Sequence, residues 1–242
     1  MTIPLYHAVL ADASTPAEIF TRAQVAWNAR TLPPYESFTL PCEATFLADR
    51  CTAGTRVQFV VRLRDGRTFA HTIDRNGSPG SVLLRGGYVY GPAGAPLGFY
   101  RRTPEPGASV PPPPPNLAPD PIGTIATVSA VDRAYAIALA GLETIGTRRC
   151  WHLRLRPLRD PDWYPLRELW IDTTSYEVVR LIYAWPFNTT TASITYDFAP
   201  AGAQGIWSIV HIDAQAGAQR VGDDLDAIDF PPSEPEDDFT PR

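Results

Sequence analysis

CWHLRLRPLRDPDWYPLRELWIDTTSYEVVRLIYAW, residues 150–185, is the stretch of sequence that decides the fold. Apolar and polar residues alternate along 150–156, 165–172 and 176–185, and a period of two predicts β-strands. Short turns separate most of the predicted strands here and beyond, and strands joined in this way pair antiparallel. The stretch therefore predicts the centre of an antiparallel meander.

The strand pattern extends in both directions from this centre. Further strands are predicted at 36–47, 57–63, 67–73, 81–91, 97–101, 134–139, 192–198 and 205–213. Asp65-Gly66 predicts a tight hairpin turn between two of them. The total is ten or eleven strands, so the chain is predicted to be mainly β and antiparallel.

One helix is predicted before the first strand. Thr15 is a hydroxyl N-cap, Pro16 stands in the first turn and Glu18 follows as an early carboxylate. Apolar residues then recur at helical spacing up to Trp27, so 15–30 is predicted to be an amphipathic helix. Its apolar face needs a surface to cover.

The 242 residues fit a single domain, 1–242, long enough to bury a core. Residues 1–14 form an N-terminal extension, and 122–131 could be a short helix. Five consecutive prolines, Pro111–Pro115, mark 104–121 as a Pro-rich loop that either joins two halves of the domain or docks into an aromatic groove. Residues 222–242 read as an acidic, solvated tail that could partly lie along the domain.

Charge and hydropathy exclude several classes of partner. The formal net charge of −5 argues against nucleic acid, because phosphate binding needs a basic field. No run approaches the roughly 18 apolar residues of a transmembrane helix. Residues 1–14 lack the regions of a signal peptide, so the protein is either cytoplasmic or has lost a leader.

The three cysteines are Cys42, Cys51 and Cys150. Cys42 and Cys51 are close enough to close a loop of about ten residues by a disulfide, which would suit an oxidising compartment. Spacing does not determine connectivity, so three buried small apolar residues remain the alternative.

A search for catalytic motifs predicts no enzyme, no cofactor and no metal site. The sequence contains no Gly-x-Ser-x-Gly elbow, phosphate loop or dinucleotide fingerprint. The histidines lack zinc-ligand spacing. His211 with Asp213, and Glu168 with Asp172, share a face of their strands, a pattern more typical of solvated sheet residues than of a site.

Aromatic residues crowd the second half of the chain, among them Trp151, Trp170, Trp207, Tyr183 and Tyr196. A strongly curved sheet can line a cavity with such rings. Ordinary core packing under the N-terminal helix gives the same pattern, so both interpretations stay open.

Several segments resemble LolA-like proteins, the outer-membrane lipoprotein-sorting and lipoprotein-carrier relatives. The resemblance rests on Trp151-His152-Leu153-Arg154-Leu155-Arg156-Pro157, on Leu169-Trp170-Ile171-Asp172 and on Tyr176-Glu177-Val178, with the opening helix similar as well. It covers most of the chain and implies an incomplete antiparallel β-barrel of about eleven strands, with helices as a lid over the concave face. It also implies a periplasmic or extracellular carrier of acyl chains whose signal peptide has been removed.

The resulting hypothesis is a monomeric, non-catalytic binder of a hydrophobic ligand or lipidated protein. Strand parity selects seven residues to line its apolar cavity: Phe59, Val61, Leu153, Leu155, Trp170, Ile182 and Tyr196. The rival hypothesis is a protein-interaction or signalling module that uses a sheet edge or the Pro-rich loop. An enzyme on the same scaffold is a third, since a fold does not fix a function.

Overall fold

The computed structural model describes residues 15–45, 48–63, 67–88, 135–158, 166–187 and 190–240. In chain order the elements are α1 Pro16–Asn28, β1 Tyr35–Pro41, β2 Arg56–Arg62, β3 Arg67–Ile73, β4 Pro79–Tyr88, β5 Tyr135–Ile145, β6 Arg148–Pro157, β7 Leu166–Asp172, β8 Val178–Phe187, β9 Thr190–Ala201, β10 Ile206–Ala216, β11 Gln219–Asp224 and β12 Asp226–Asp229. Short 3-10 helices lie at Cys42–Ala44, Ala48–Arg50 and Glu236–Phe239.

The strands form two antiparallel sheets. One has five strands in the order β12-β1-β2-β3-β4, and the other has seven in the order β11-β10-β9-β8-β7-β6-β5. The seven-stranded sheet is a meander in which each strand pairs with its neighbour in sequence. Within the described residues the sheets do not close into a barrel, which confirms the predicted incomplete antiparallel barrel.

The two sheets and α1 share one apolar core. Inward side chains of the five-stranded sheet, such as Phe38 and Phe59, belong to the same buried cluster as Leu153 and Tyr196 of the seven-stranded sheet. Phe38 and Phe59 stack across β1 and β2 with ring centroids 5.3 Å apart. The chain passes from one sheet to the other through β11 and β12, where the backbone N–H of buried Leu225 donates to Val210.

Helix α1 begins with the predicted cap. Thr15 Oγ1 accepts a hydrogen bond from the Glu18 backbone N–H at 3.2 Å, and Glu18 Oε2 accepts one from the Thr15 N–H at 2.7 Å. This capping box satisfies two of the amide donors that a helix N-terminus leaves unpaired. The predicted helix at 15–30 is confirmed. In the described part of the chain, no helix combines the length and apolar character that a membrane crossing requires.

The end of the chain was predicted to be a solvated tail that could partly lie along the domain, and the structure places more of it on the domain than that. Residues from Gly222 onward complete β11, form β12 beside β1, and bury Phe239 against the outer face of the five-stranded sheet. The acidic composition is used for ion pairs, because Glu236 pairs with Arg62 and Asp238 pairs with Arg85 at 2.8 Å. The tail therefore lies along the domain and covers one sheet face.

Some predicted features lie outside the described residues. They are the N-terminal extension at 1–14, the turn at Asp65-Gly66, the strand at 97–101, the Pro-rich loop at 104–121 and the helix at 122–131.

Cys42 and Cys51 form a disulfide, with Cα atoms 6.3 Å apart. The bond closes the segment that leads from β1 into β2. Cys150 is a free, buried thiol, and burial, followed by the nearby Asp172 carboxylate, raises its pKa to about 11. The structure thus decides the cysteine question in favour of one disulfide and one unreactive thiol.

Reducing this disulfide, or replacing both cysteines by serine, is expected to lower the free energy of unfolding by about 2–3 kcal/mol. The reason is that closing a loop of about ten residues restricts the unfolded chain. Urea denaturation with and without a reducing agent measures the difference. Cys150→Ser is the matched control, because it removes a thiol and keeps the disulfide. Its unfolding curve should therefore still shift when the reducing agent is added. An oxidised and a reduced protein of equal stability would contradict the expectation.

Candidate functional site

The interior between the sheets and α1 holds five of the seven predicted lining residues. Phe59, Val61, Leu153, Leu155 and Tyr196 all belong to the core cluster shared by the two sheets, and each is at most 3% exposed. They come from β2, β6 and β9, so the interior is walled by both sheets. Whether these residues contact a ligand stays a prediction.

The other two predicted lining residues, Trp170 and Ile182, lie on the opposite face of the seven-stranded sheet. They belong to a small outer cluster with Cys150 and Val179. The pairing of β7 with β8 is irregular between Leu166 and Glu168 and again between Trp170 and Ile171. A register shift of one residue moves the following side chains to the other face of the sheet. The structure therefore does not bring these two residues together with the other five.

Helix α1 covers the interior with one side. Ile19, Phe20, Ala23 and Trp27 are buried in the core, while Val25 on the opposite side is 65% exposed. A side-chain tie links the helix to the seven-stranded sheet, since Arg22 Nη1 donates to the Tyr176 hydroxyl at 2.7 Å. Helix α1 is thus a short amphipathic cover held mainly by apolar packing.

A polar group stands on the covered side of α1 as well. Gln24 is 5% exposed, and its Nε2 has no hydrogen-bond partner among the described residues. A buried donor without an acceptor destabilises a protein by about 1–3 kcal/mol. Gln24 therefore presents an unused N–H donor at the boundary between the helix and the interior.

A single carboxylate enters the interior from β1. Glu36 alternates with Phe38 and Leu40, so its side chain stands on the core face of the strand, and the residue is 2% exposed. Ser208 of β10 donates its hydroxyl hydrogen bond to Glu36 Oε1 at 2.6 Å across the two sheets. Burial raises the pKa of Glu36 to about 7, against the lowering effects of Ser208 and of the positive charge on Arg30.

We call the surroundings of Glu36 the polar mouth, defined as Trp27, Arg30, Glu36, Phe198, Trp207, Ser208 and Phe230. These residues line a small cavity of about 20 Å³ near the end of α1, together with neighbouring aliphatic side chains. That space holds about one water-sized group. The mouth thus combines one buried carboxylate with four aromatic side chains.

Arg30 closes the polar mouth from outside. Its guanidinium carbon lies 3.3 Å from the centre of the Trp27 ring, and its Nε donates to the Trp27 carbonyl at 3.1 Å. Trp27 in turn packs edge-on against Phe198, with ring centroids 5.4 Å apart. A cation of the protein itself therefore already occupies an aromatic face beside Glu36.

A second polar cluster lies on the outer face of the seven-stranded sheet. His152 contacts Glu143 Oε1 through Nδ1 at 2.7 Å and Glu168 Oε2 through Nε2 at 2.6 Å, and its ring stacks on Trp170 with centroids 4.1 Å apart. Trp170 Nε1 donates to the other Glu143 oxygen at 2.8 Å. These bonds from Trp170 and His152 lower the pKa of Glu143.

This outer cluster has the properties of a structural network. Both ring nitrogens of His152 are engaged by carboxylates of the same network. The four residues tie β5, β6 and β7 together on one face. The residue pairs that the sequence placed on one strand face have separate partners in the structure. Glu168 contacts His152. His211 Nδ1 contacts Asp224 at 2.7 Å, whereas Asp213 binds Arg220.

A shallow groove of about 330 Å³ lies beside β5, β6 and β7. It is lined by Ala136, Ile137, Ala138, Arg154, Leu155, Arg156, Arg167 and Glu168. Residues 159–165, which connect β6 to β7, are outside the described residues. The polar mouth is therefore the better-defined site.

One feature of the sequence could have pointed to the polar mouth, namely a charged residue at a core position of β1. Glu36 occupies an inward position in the alternation of β1, where an apolar residue is expected. A charged residue at a core position is rare unless it is paired or functional. Ser208, Arg30 and Phe230 carried no comparable signal, because only the fold brings them to Glu36.

No protein-family model matches this chain, and no curated protein matches it. Solved structures do. A LolA superfamily protein from Nitrosomonas europaea is 14% identical with a TM-score of 0.37, and the match covers 95% of this chain and 99% of that chain. A DUF1329 family protein from Desulfovibrio piger is 10% identical with a TM-score of 0.40, covering 94% and 98%.

A third solved structure, named for an outer membrane lipoprotein-sorting protein domain from Vibrio parahaemolyticus, is 10% identical with a TM-score of 0.37, covering 93% of this chain and 97% of that chain. None of the three similarities assigns a function to this chain.

Proposed function

We propose that the protein binds and carries an apolar ligand between helix α1 and the inner faces of its two sheets. The ligand is an acyl chain, a lipid or the lipid group of a modified protein, and the binder acts as a monomer. The observation that carries the proposal is the apolar interior, which both sheets build and which the 13-residue amphipathic helix α1 covers. Phe59, Val61, Leu153, Leu155 and Tyr196 remain the proposed wall of the site.

Binding requires α1 to move, because the core side chains fill the interior in this structure. Ile19, Phe20 and Ala23 of the helix occupy the volume that an acyl chain would take, whereas Trp27 lies at the end of the helix in the polar mouth. A chain in their place restores apolar burial worth about 25 cal/mol per Å², before the losses of ordering the ligand are subtracted. The helix and the ligand would thus compete for the same apolar surface.

Gln24 supports a ligand that carries an oxygen near its chain. Its Nε2 donor, which has no partner among the described residues, lies on the covered side of α1, and an ester or amide oxygen could accept from it. Satisfying a buried donor contributes to binding as well as to orientation.

The disulfide supports an oxidising location. Cys42–Cys51 is formed in a chain whose third cysteine is buried and unreactive, and disulfides persist in periplasmic or extracellular compartments. We therefore propose a periplasmic or extracellular carrier. A catalytic role finds less support, since the His152 cluster has both of its ring nitrogens bound to carboxylates.

The test begins with protein purified without detergent, analysed by native mass spectrometry and by organic extraction of bound molecules. Delipidated protein is then titrated with a fluorescent fatty acid. We expect co-purifying acyl lipid and saturable uptake.

Arg22→Ala, which removes the hydrogen bond to Tyr176, should speed uptake by about two- to five-fold because a surface interaction of this kind is weak.

Arg50→Ala is the matched control. Arg50 is an exposed arginine in the 3-10 helix Ala48–Arg50 between β1 and β2, and its loss leaves α1 untouched. An Arg22→Ala protein with unchanged uptake would contradict the role of α1 as the moving cover. Delipidated protein that takes up no fatty acid at all would contradict the proposed function.

That negative result would favour the protein-interaction alternative. Strand β5 lies at the edge of the seven-stranded sheet and exposes Leu139 and Leu142, each by more than two fifths. Such an edge can accept a strand of another protein.

A further inference from the structure

We propose that the polar mouth recognises an alkylammonium head group, so that the ligand is a cationic amphiphile with an ammonium at the end of its apolar chain. The inference rests on the proposed function and adds the chemical class of the ligand. Its structural basis is the combination of a buried carboxylate, four aromatic side chains and an internal cation at one opening of the interior.

The buried carboxylate of Glu36 is the first part of the site. Glu36 is 2% exposed, and the hydrogen bond it receives from Ser208 engages one of its two oxygens. A buried carboxylate is stabilised chiefly by a cation that also donates hydrogen bonds. An ammonium group provides one charge and several N–H donors in a small volume.

The aromatic side chains supply the second half of the site. Trp27, Phe198, Trp207 and Phe230 line the same cavity as Glu36. Aromatic faces attract cations, and rings grouped around a carboxylate are a general solution for binding alkylated ammonium groups. The apolar rings also accept the first carbons of an attached chain.

Arg30 shows where a cation is accepted. Its guanidinium lies on the Trp27 ring at 3.3 Å, and its charge is one of the influences on Glu36. Arg30 is partly exposed and follows α1 in the chain, so its side chain can turn towards solvent while Trp27, at the end of the helix, stays in the polar mouth. We infer that the ligand's ammonium takes over the place of this guanidinium.

An anionic head group fits the mouth less well. It would face the Glu36 carboxylate inside the protein, where like charges repel strongly because the dielectric constant is low. Arg30 could attract an anion only toward solvent, where the same interaction is screened. The buried charge therefore decides the preference.

Protonation of Glu36 makes the preference depend on pH. The groups that face it are Arg30 after α1, Ser208 on β10 and the uncharged side chains of Trp27, Leu63 and Trp207. Arg30 keeps its charge between pH 6 and pH 8. An alkylammonium keeps its charge there as well, because it loses its proton only near the pKa of lysine, about 10. The preference for the cation should therefore increase between pH 6 and pH 8 as Glu36 ionises.

The experiment compares three amphiphiles of one chain length on the delipidated full chain at pH 8, below their micelle concentrations: dodecylammonium, dodecan-1-ol and dodecanoate. Native mass spectrometry and calorimetry measure each Kd. We expect dodecylammonium to bind at least about ten-fold more tightly than dodecanol. Glu36→Gln should remove this preference, while dodecanol binding stays within about two-fold.

Two further variants separate the mouth from general effects of charge. Glu43→Gln makes the same change at an exposed carboxylate in the 3-10 helix Cys42–Ala44, and the preference should survive it. Arg30→Ala removes the competing internal cation, so dodecylammonium should bind about three- to ten-fold more tightly.

Three results would overturn the inference. They are equal binding of dodecylammonium and dodecanol to the unaltered protein, a preference that survives Glu36→Gln, and loss of dodecylammonium binding in Arg30→Ala. In each case binding of dodecanol still supports the proposed apolar site. Failure of all three amphiphiles to bind would overturn the head-group inference together with the proposed function.

Discussion

Replacing Phe239 by alanine is expected to destabilise the protein by about 3 kcal/mol, the low end of the range for a fully buried phenylalanine. Phe239 is 1% exposed and belongs to a small cluster with Tyr35, Val60 and Phe69 on the outer face of the five-stranded sheet. Its ring lies 5.6 Å from that of Tyr35, measured between centroids. Alanine would leave a cavity in this cluster, which water could enter or the neighbouring side chains could fill.

The expected effect is large because the phenylalanine secures a whole segment. The Tyr35 hydroxyl donates to Glu236 Oε1 at 3.2 Å, Arg85 binds Asp238, and Arg67 donates to the Phe239 carbonyl at 3.3 Å. Arg62, whose side chain is 7% exposed, pairs with Glu236. If the segment detaches, these hydrogen bonds and ion pairs are lost together with the apolar burial of Phe239.

Urea denaturation followed by tryptophan fluorescence measures the change in the unfolding midpoint. Phe239→Leu is the matched control, because leucine keeps most of the apolar volume and should lose only about 1 kcal/mol. A Phe239→Ala protein within about 0.5 kcal/mol of the original would show that the C-terminal segment adds little to the stability of the domain.

The strand pattern predicted most of this fold because it depends on local alternation. Helix α1 could be predicted from the Thr15-to-Glu18 capping pattern, and β6 and β7 from their period of two. The strands β11 and β12 and the buried Phe239 of the C-terminal segment were not predicted, for a physical reason. Its acidic, Pro-rich composition is typical of solvated chain, and the arginines that give those carboxylates a place on the surface of the sheet come from two distant strands, β2 and β4.

The candidate site could be predicted only in part, because strand parity is fragile. It placed Phe59 and Leu153 in the interior, where the structure also has them, but it failed for Trp170 and Ile182 beyond the irregular pairing of β7 with β8. A one-residue irregularity has no sequence signature strong enough to be read in advance. The polar mouth adds a second difficulty, since it joins Glu36 to Ser208 across 172 positions.

Glu36 should make the protein less stable as the pH rises from about 4.5 to about 7. The carboxyl group has its ordinary pKa of 4.5 in the unfolded chain and one of about 7 in the folded protein, because burial disfavours the charged form. Between these values the unfolded chain releases a proton that the folded protein keeps. The penalty is therefore absent below pH 4.5, grows through this window and is complete above pH 7, at about 3 kcal/mol.

Glu36→Gln should remove this penalty and leave the unfolding free energy about 3 kcal/mol higher than that of the original protein at pH 8, with no difference at pH 4. Glutamine keeps the shape and still accepts the Ser208 hydrogen bond, so packing changes little. Urea denaturation at pH 4, 6 and 8 checks the pH profile, with Glu43→Gln as the control for loss of a surface charge. Equal stabilities of the Glu36→Gln and original proteins at pH 8 would contradict the raised pKa. A more stable variant that also loses its preference for dodecylammonium would show that the buried carboxylate lowers stability and serves binding, the trade-off expected of a functional residue in an apolar interior.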